Sequence, residues 1–270
     1  MPGVAVIGNT TRDVVGSGPP RAGGPALYAG RALRLLGSRS RIVTRCAAED
    51  RRLLLSRVIA LGLPVTWLPG ERTATYSFTY EGDVRRMTVD QLGDPWTPAD
   101  VRGWAGRGLG SAEWVLVGGL ARTDFPTETL AELARGRRLL LDGQGIARPG
   151  RTGPLELDAE IDPDVLRHLS MLKLSEREAE MLAGSTEPDD LRALGVPEVV
   201  VTFGSGGSLV VTAAHAERVQ VRPVAGRDPT GAGDAFSAAY LDARAAGHRP
   251  TSAARRASAI VSALLLGRAR

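Results

Sequence analysis

A three-layer α/β/α sandwich around a central, mostly parallel sheet is predicted by three features of this 270-residue sequence. Short runs that are nearly wholly apolar, such as Trp114-Val115-Leu116-Val117 and Val199-Val200-Val201, recur along the chain; strands covered on both faces by helices have this character. Segments with apolar residues at helical spacing alternate with them. Two of the early helical segments stop at a glycine, Gly37 and Gly62, as helices with a left-handed C-terminal cap do. The length suits one large α/β unit, and 43% hydrophobic residues supply an ample core.

The elements follow in order. Val4–Ile7 is a β-branched run ending in Gly8, read as an opening strand rather than a signal peptide, because no basic segment or small-residue cleavage site accompanies it. Ala26–Leu36 is helical, Arg41–Thr44 a strand, Arg51–Leu61 an amphipathic helix and Val65–Leu68 a strand. Trp114–Val117, Leu139–Leu141, Met171–Leu174, Val199–Thr202 and Ser208–Val211 read as further strands, and Pro163–Leu169 is another short run. Thr127–Ala134, Glu176–Ala183, Ala235–Ala246 and Ser252–Leu265 read as helices.

One stretch breaks the rhythm. Thr73–Tyr80 alternates strictly, placing Ala74, Tyr76, Phe78 and Tyr80 on one face; Glu81-Gly82-Asp83 is a turn signal and Val84–Val89 returns as a partner strand. The hairpin's aromatic face either packs on the sheet or serves as a flap or subunit surface.

Composition narrows the function classes. A formal charge of +4 comes from arginines scattered among acids, with Lys173 the sole lysine, so ordinary surface is favoured over a nucleic-acid footprint. No window approaches eighteen uninterrupted apolar residues, which argues against a membrane span. The lone Cys46 excludes an intramolecular disulfide and fits a cytoplasmic location. His168, His215 and His248 lie far apart, without metal-ligand spacing.

The sharpest chemical signal is Arg227-Asp228-Pro229-Thr230-Gly231-Ala232-Gly233-Asp234-Ala235-Phe236. Small residues at 231–233 directly before a helix leave backbone N–H groups unpaired and aimed outward, where amides and helix dipole together attract an anion. Asp234 then stands beside the anion, able to accept the proton of an attacking hydroxyl; the plainer reading makes it a helix cap. The segment is neither GxxxxGK[ST] nor GxGxxG. Gly8 opens no GxGxxG either, which discounts a nicotinamide dehydrogenase.

The same segment resembles the C-terminal signature of the PfkB/ribokinase family of carbohydrate kinases. The resemblance implies a ribokinase-like sandwich carrying a small β-hairpin lid. It makes Asp234 the base and Gly231, Ala232 and Gly233 an anion hole for the transferring phosphoryl, with Pro229 where the family usually has threonine. Val6–Asp13 is similar to the family's opening strand, so Asp13 is expected to hold sugar hydroxyls. Gly23-Gly24-Pro25-Ala26-Leu27-Tyr28 resembles the diglycine motif that packs backbone against the sugar; Tyr28 replaces a frequent asparagine and either substitutes for its contact or excludes larger substrates. Ser175 and Glu178 match an Asn-x-x-Glu segment with serine in the asparagine position. In the family that acid organises Mg2+ indirectly, through water, although Ser175 and Glu178 also spell a capping box.

The resemblance extends along nearly the whole chain, implying a single kinase domain over 1–270 with a lid insertion at about 71–90 and a short loop at 14–22. Thr202, Gly204 and Gly207 correspond to the nucleotide-side strand and glycine turn, and Thr230, Ser175 and Glu178 join them on the ATP side. Asp228 corresponds to a monovalent-cation position, which adds K+ to the implied ATP and Mg2+. Leu141-Asp142-Gly143-Gln144-Gly145 with Arg148 is a polar loop after a buried strand, where open α/β sheets bind ligands. A similar loop occurs in the branch that includes inositol kinases. A cyclic polyol contacting Gln144 is therefore the first acceptor to consider, ahead of ribose, a nucleoside or a sugar phosphate. Arg148 either meets an ATP phosphate bidentately or sits in solvent. The small lid leaves monomer and homodimer open. The rival class is a non-catalytic ligand-binding protein on the same scaffold.

Overall fold

The computed structural model describes residues 3–81, 84–224 and 228–267. The chain opens with β1 (Gly3–Gly8), β2 (Thr11–Val15), β3 (Arg21–Gly23), α1 (Pro25–Leu35), β4 (Ser40–Ala47), α2 (Arg51–Ile59) and β5 (Val65–Gly70). The hairpin β6 (Ala74–Glu81) and β7 (Val84–Gln91) follows, then α3 (Pro98–Arg102), α4 (Trp104–Leu109), β8 (Ala112–Gly118), α5 (Thr127–Leu133), β9 (Arg138–Asp142), α6 (Gln144–Ala147) and β10 (Gly153–Pro154). The last third carries β11 (Met171–Ser175), α7 (Glu176–Ala183), α8 (Pro188–Ala193), β12 (Glu198–Thr202), β13 (Ser208–Thr212), β14 (Ala216–Val219), α9 (Ala232–Ala245) and α10 (Pro250–Leu265). The run Pro163–His168 is a 3-10 turn opened by Asp162. Gly82, Asp83 and Arg227, named above in the hairpin turn and the signature, lie outside the described residues, as do Met1 and Pro2.

Nine strands form the main sheet in the order β14-β13-β12-β11-β9-β8-β1-β4-β5. Pairing is parallel from β5 through β12 and antiparallel only at β13 and β14. Successive side chains of a strand leave on opposite faces, and the two cores divide accordingly. Ala5, Ile7, Val115, Val117, Leu172 and Leu174 pack on the side of α3, α4, α5, α7 and α8. Val4, Val6, Leu116, Leu140 and Val200 pack on the side of α1, α9 and α10. Each face thus buries one alternate set, which is why these strands read as continuously apolar.

The hairpin forms as expected but is not alone. A second sheet of five strands, ordered β10-β7-β6-β2-β3, stands over one end of the first. Thr11–Val15 pairs in parallel with Ala74–Phe78, Arg21–Gly23 pairs antiparallel with β2, and Gly153–Pro154 adds to Thr88–Val89. The segment expected only as a short loop therefore contributes its flanks as strands. The aromatic face also resolves: Tyr76 and Phe78 are buried, packing with Ala74, Val89 and Leu120.

Candidate active site

Strand carboxyl ends build one wall of the site, as open α/β sheets do. Asp142 ends β9, Ser175 ends β11 with Lys173 two residues before it, and Thr202 ends β12. Facing them is the start of α9. Gly231 caps that helix at φ 78°, a left-handed conformation that favours glycine. Asp234 is therefore not the cap; it sits two residues inside the helix.

A chamber of about 310 Å³ gathers Asp13, Gly24, Tyr28, Gln144, Arg148, Ser175, Glu178, Thr230, Gly231, Gly233 and Asp234, residues drawn from the whole length of the chain. Tyr76, Phe78 and Met87 of the second sheet line it as well. Asp13 and Asp234 share this space, with no packed core dividing them. Three expected residues lie across the turn instead: Thr202, Gly204 and Gly207 border a neighbouring cavity of about 230 Å³ together with Ala232 and Gly233. Gly23 borders neither; a Cβ there would strike the Asp13 carboxylate and come within 2.6 Å of Thr11 Oγ1, so its role is to let β3 approach Asp13.

Asp234 Oδ1 accepts a hydrogen bond of 3.2 Å from the Gln144 side-chain amide. Burial pushes its carboxyl up to about 7, and the nearby Asp142 charge adds to the rise, while Lys173, Arg148 and the Gln144 bond pull against it. A carboxyl poised near neutrality is suited to taking a proton. Gln144, expected at the acceptor, thus touches the candidate base itself.

The amide cradle differs from expectation in one member. Ala232 N–H donates to the Pro229 carbonyl at 2.9 Å, closing a tight turn, so its amide is engaged. Among the described residues the Gly231 and Gly233 amides find no protein acceptor. Asp228, named for a monovalent cation, has Oδ1 bonded by Thr230 N–H at 3.0 Å and by its hydroxyl at 2.6 Å, which shapes the approach to the cradle.

Arg148 stands on the acceptor side rather than in the Thr202 cavity. Its guanidinium meets the buried Tyr76 hydroxyl and offsets the buried Asp124, whose carboxyl burial drives up to about 7. Ser175 Oγ accepts from Glu178 N–H at 3.3 Å, and Glu178 Oε2 accepts from Ser175 N–H at 2.8 Å. The capping box therefore forms, and it fixes Glu178 at the chamber edge. Asp13 accepts from Thr11 Oγ1 at 2.6 Å. Tyr28 lies against Gly231, and its phenol is raised to about 12 by burial and by the charge of Asp13.

Sequence reasoning missed Lys173 and Asp142 as site residues. The available signal was the sole lysine of the chain in the middle of an apolar strand. Among the described residues, no group of three or more His, Cys, Asp or Glu side chains could cage a metal. A Mg2+ ion held by Glu178 through water and by donor phosphates fits that donor set, because Mg2+ keeps several waters and needs few carboxylates.

Among solved structures, the chain is similar to a pyrophosphate-dependent kinase of the ribokinase family in a sulfate complex, at 26% identity and a TM-score of 0.84, covering 97% of this chain and 95% of that one. It is also similar to a pyrophosphate-dependent myo-inositol-1 kinase converted into a myo-inositol-3 kinase, at 25% identity and 0.83, covering 97% and 92%. Arabidopsis thaliana ribokinase bound to ribose and ATP shares the fold at 20% identity and 0.76, covering 98% and 93%. A family model described as pfkB family carbohydrate kinase matches residues 15–268. The fold, the glycine corner and this match over nearly the whole length agree: the chain belongs to the pfkB family of carbohydrate kinases.

Proposed function

We propose that this kinase transfers a phosphoryl group to a hydroxyl of a small cyclic polyol, with Asp234 as general base. The observation that carries the reading is the shared chamber: Asp13, Asp234 and the free amides of Gly231 and Gly233 line one space of about 310 Å³, near the lower end of the roughly 300–1,000 Å³ usual for small-ligand sites. The acceptor lies between Asp13, Gly24 and Tyr28, under Tyr76 and Phe78. Its hydroxyl loses a proton to Asp234 as the oxygen–phosphorus bond forms, and the bond to the leaving donor oxygen breaks with its electron pair going to the leaving group. The Gly231 and Gly233 amides meet the charge that spreads over the equatorial oxygens. Mg2+ bound at Glu178 would supply charge neutralisation on the donor phosphates. Asp228, the residue that would hold K+, has its Oδ1 engaged by Thr230 within the loop.

The donor reading is ATP. The neighbouring cavity has apolar walls from Val221, Pro223, Val224, Phe236, Val261 and Leu265, with Ser258 and Ser262 hydroxyls between them, a lining suited to a purine. Pyrophosphate is the second reading, favoured by the 26%-identical relative and by Arg222 in the same cavity. The buried Cys46 fits a cytoplasmic setting, and among the described residues no helix is long and apolar enough to cross a membrane.

A phosphate-transfer screen tests this, pairing ATP or pyrophosphate, with Mg2+ and with or without K+, against myo-inositol, ribose, inosine and a hexose phosphate. Turnover of the polyol above the others supports the reading; preference for ribose, inosine or the hexose phosphate reassigns the acceptor. Binding without turnover for every pair sinks the kinase reading and leaves a ligand-binding protein.

A further inference from the structure

Lys173 and Asp142 are buried at 6% and 3% exposure, yet the transfer step described above uses neither. They are register partners on the adjacent parallel strands β11 and β9. Lys173 Nζ lies 3.3 Å and 3.2 Å from the two Asp142 oxygens. Asp142 Oδ2 also accepts from the Ser237 hydroxyl of α9 at 3.0 Å, and Oδ1 lies 3.4 Å from the Gln144 backbone N–H that donates to it. The ammonium stands 3.0 Å from the point a Cβ on Gly233 would occupy, and both side chains line the chamber.

Burial of an ion pair is a poor source of stability, and apolar replacements of similar volume often do as well. The placement of this pair beside the cradle points to another role. We propose that Lys173 and Asp142 are a positioning pair for phosphoryl transfer: Asp142 pins the ammonium beside Gly233, where it adds positive charge to the cradle, and ties the Gln144 loop to α9. The proposal rests on the kinase reading of the site.

The two charges act on Asp234 with opposite sign, Lys173 drawing its carboxyl down and Asp142 driving it up. Lys173 itself stays charged: burial works against its ammonium, but Asp142, Glu178 and Asp234 together outweigh that. The titratable and charged groups that face Asp234 are Asp13 from β2, Tyr28 from α1, Asp142 from β9, Arg148 after α6, Lys173 from β11 and Glu178 from α7. The Lys173–Asp142 pair can be neutralised as a unit without leaving either partner's charge buried alone.

The test compares Lys173→Met, Asp142→Asn and the double variant on the full chain. The acid limb of kcat/KM is measured against pH, and the Asp234 carboxyl is followed by carbon-13 NMR, assigned with Asp234→Asn. We expect Lys173→Met to raise the Asp234 midpoint by about one pH unit and Asp142→Asn to lower it by about as much, the scale typical of one close charge. The double variant is expected to return near the wild-type midpoint but lose about 10²-fold in kcat, the usual cost of one stabilising group at developing charge. A merely structural pair, once folded, would leave the double variant with wild-type kcat; that result, or an unmoved midpoint in either single variant, overturns the proposal. Should a single variant not fold, the neutral double variant carries the test through its kcat. Should wild type phosphorylate no acceptor, the kinase reading fails while the NMR midpoints still decide the pair.

Discussion

The side-chain amide of Gln144 donates to Asp234 Oδ1 across 3.2 Å, joining a residue after β9 to the first turn of α9, 90 positions further along the chain. The bond favours the charged carboxylate, opposing the rise caused by burial. Gln144→Ala is therefore expected to move the acid limb of kcat/KM to higher pH and to cut kcat/KM at neutral pH by roughly tenfold, as loss of one bond to a charged group does. Gln144→Glu should move the limb further, by adding a like charge. A pH–rate profile for the three proteins checks both, and an unmoved limb in Gln144→Ala would separate Gln144 from the base.

Asp234→Asn should leave a folded protein that binds donor and lose about 10²–10⁴ in turnover, the range for a positioned base. Its stability should also respond to pH in a defined sense. With a native value near 7 against an ordinary 3.8, the folded state binds more protons than the unfolded state across that window. The contribution of Asp234 to stability is then fully present below about pH 4 and is lost as pH rises through about 7. Denaturant unfolding at pH 5 and pH 8 checks the sign: wild type should lose more stability between the two than Asp234→Asn. Equal losses would mean that Asp234 titrates normally.

Much of this was legible in the sequence because its signals are local. Trp114–Val117 and Val199–Val201 announce buried strands by composition, and the glycines at 231 and 233 announce a helix start open to an anion. The second sheet was only partly legible: Thr73–Val89 alternates over enough residues to be seen, whereas β3 and β10 have three and two residues, too few to carry a period. Their pairing is set by distant partners, Gly153 with Val89 for instance. Lys173 and Asp142 were hidden for a similar reason, since only the register of two strands brings them together. The Ala232 amide was misjudged because a turn closed by the Pro229 carbonyl leaves no mark in residue type.

Ser175 tests how far a cap supports the site. Its hydroxyl and the Glu178 carboxylate satisfy each other's backbone amides at the start of α7. Ser175→Ala should lower unfolding stability by about 1 kcal/mol, as loss of a helix cap does, and free Glu178 to leave the chamber edge, raising the Mg2+ concentration needed for half-maximal rate. Ser175→Asn restores a capping side chain of similar rank, so it should recover most of both losses. Recovery of stability without recovery of the Mg2+ dependence would show that the cap does not position Glu178.

Gly231 and Tyr28 bear on each other directly. A Cβ on Gly231 would enter the Tyr28 ring, coming within 2.7 Å of Cδ2 and nearer still to Cγ and Cδ1. The backbone there has φ 78°, which costs a side-chain-bearing residue about 1–2 kcal/mol. Gly231→Ala should therefore lose that stability, a further increment from the ring contact, and most turnover, since the displaced turn moves the Gly233 amide as well. Tyr28→Ala in the same chain removes the ring contact but not the backbone cost. The two substitutions should then couple, the pair being more stable than the sum of the single losses by about 0.5–3 kcal/mol, the range for residues in contact. Chemical denaturation of the four proteins measures that coupling, and strict additivity would mean that the ring and the glycine corner do not touch.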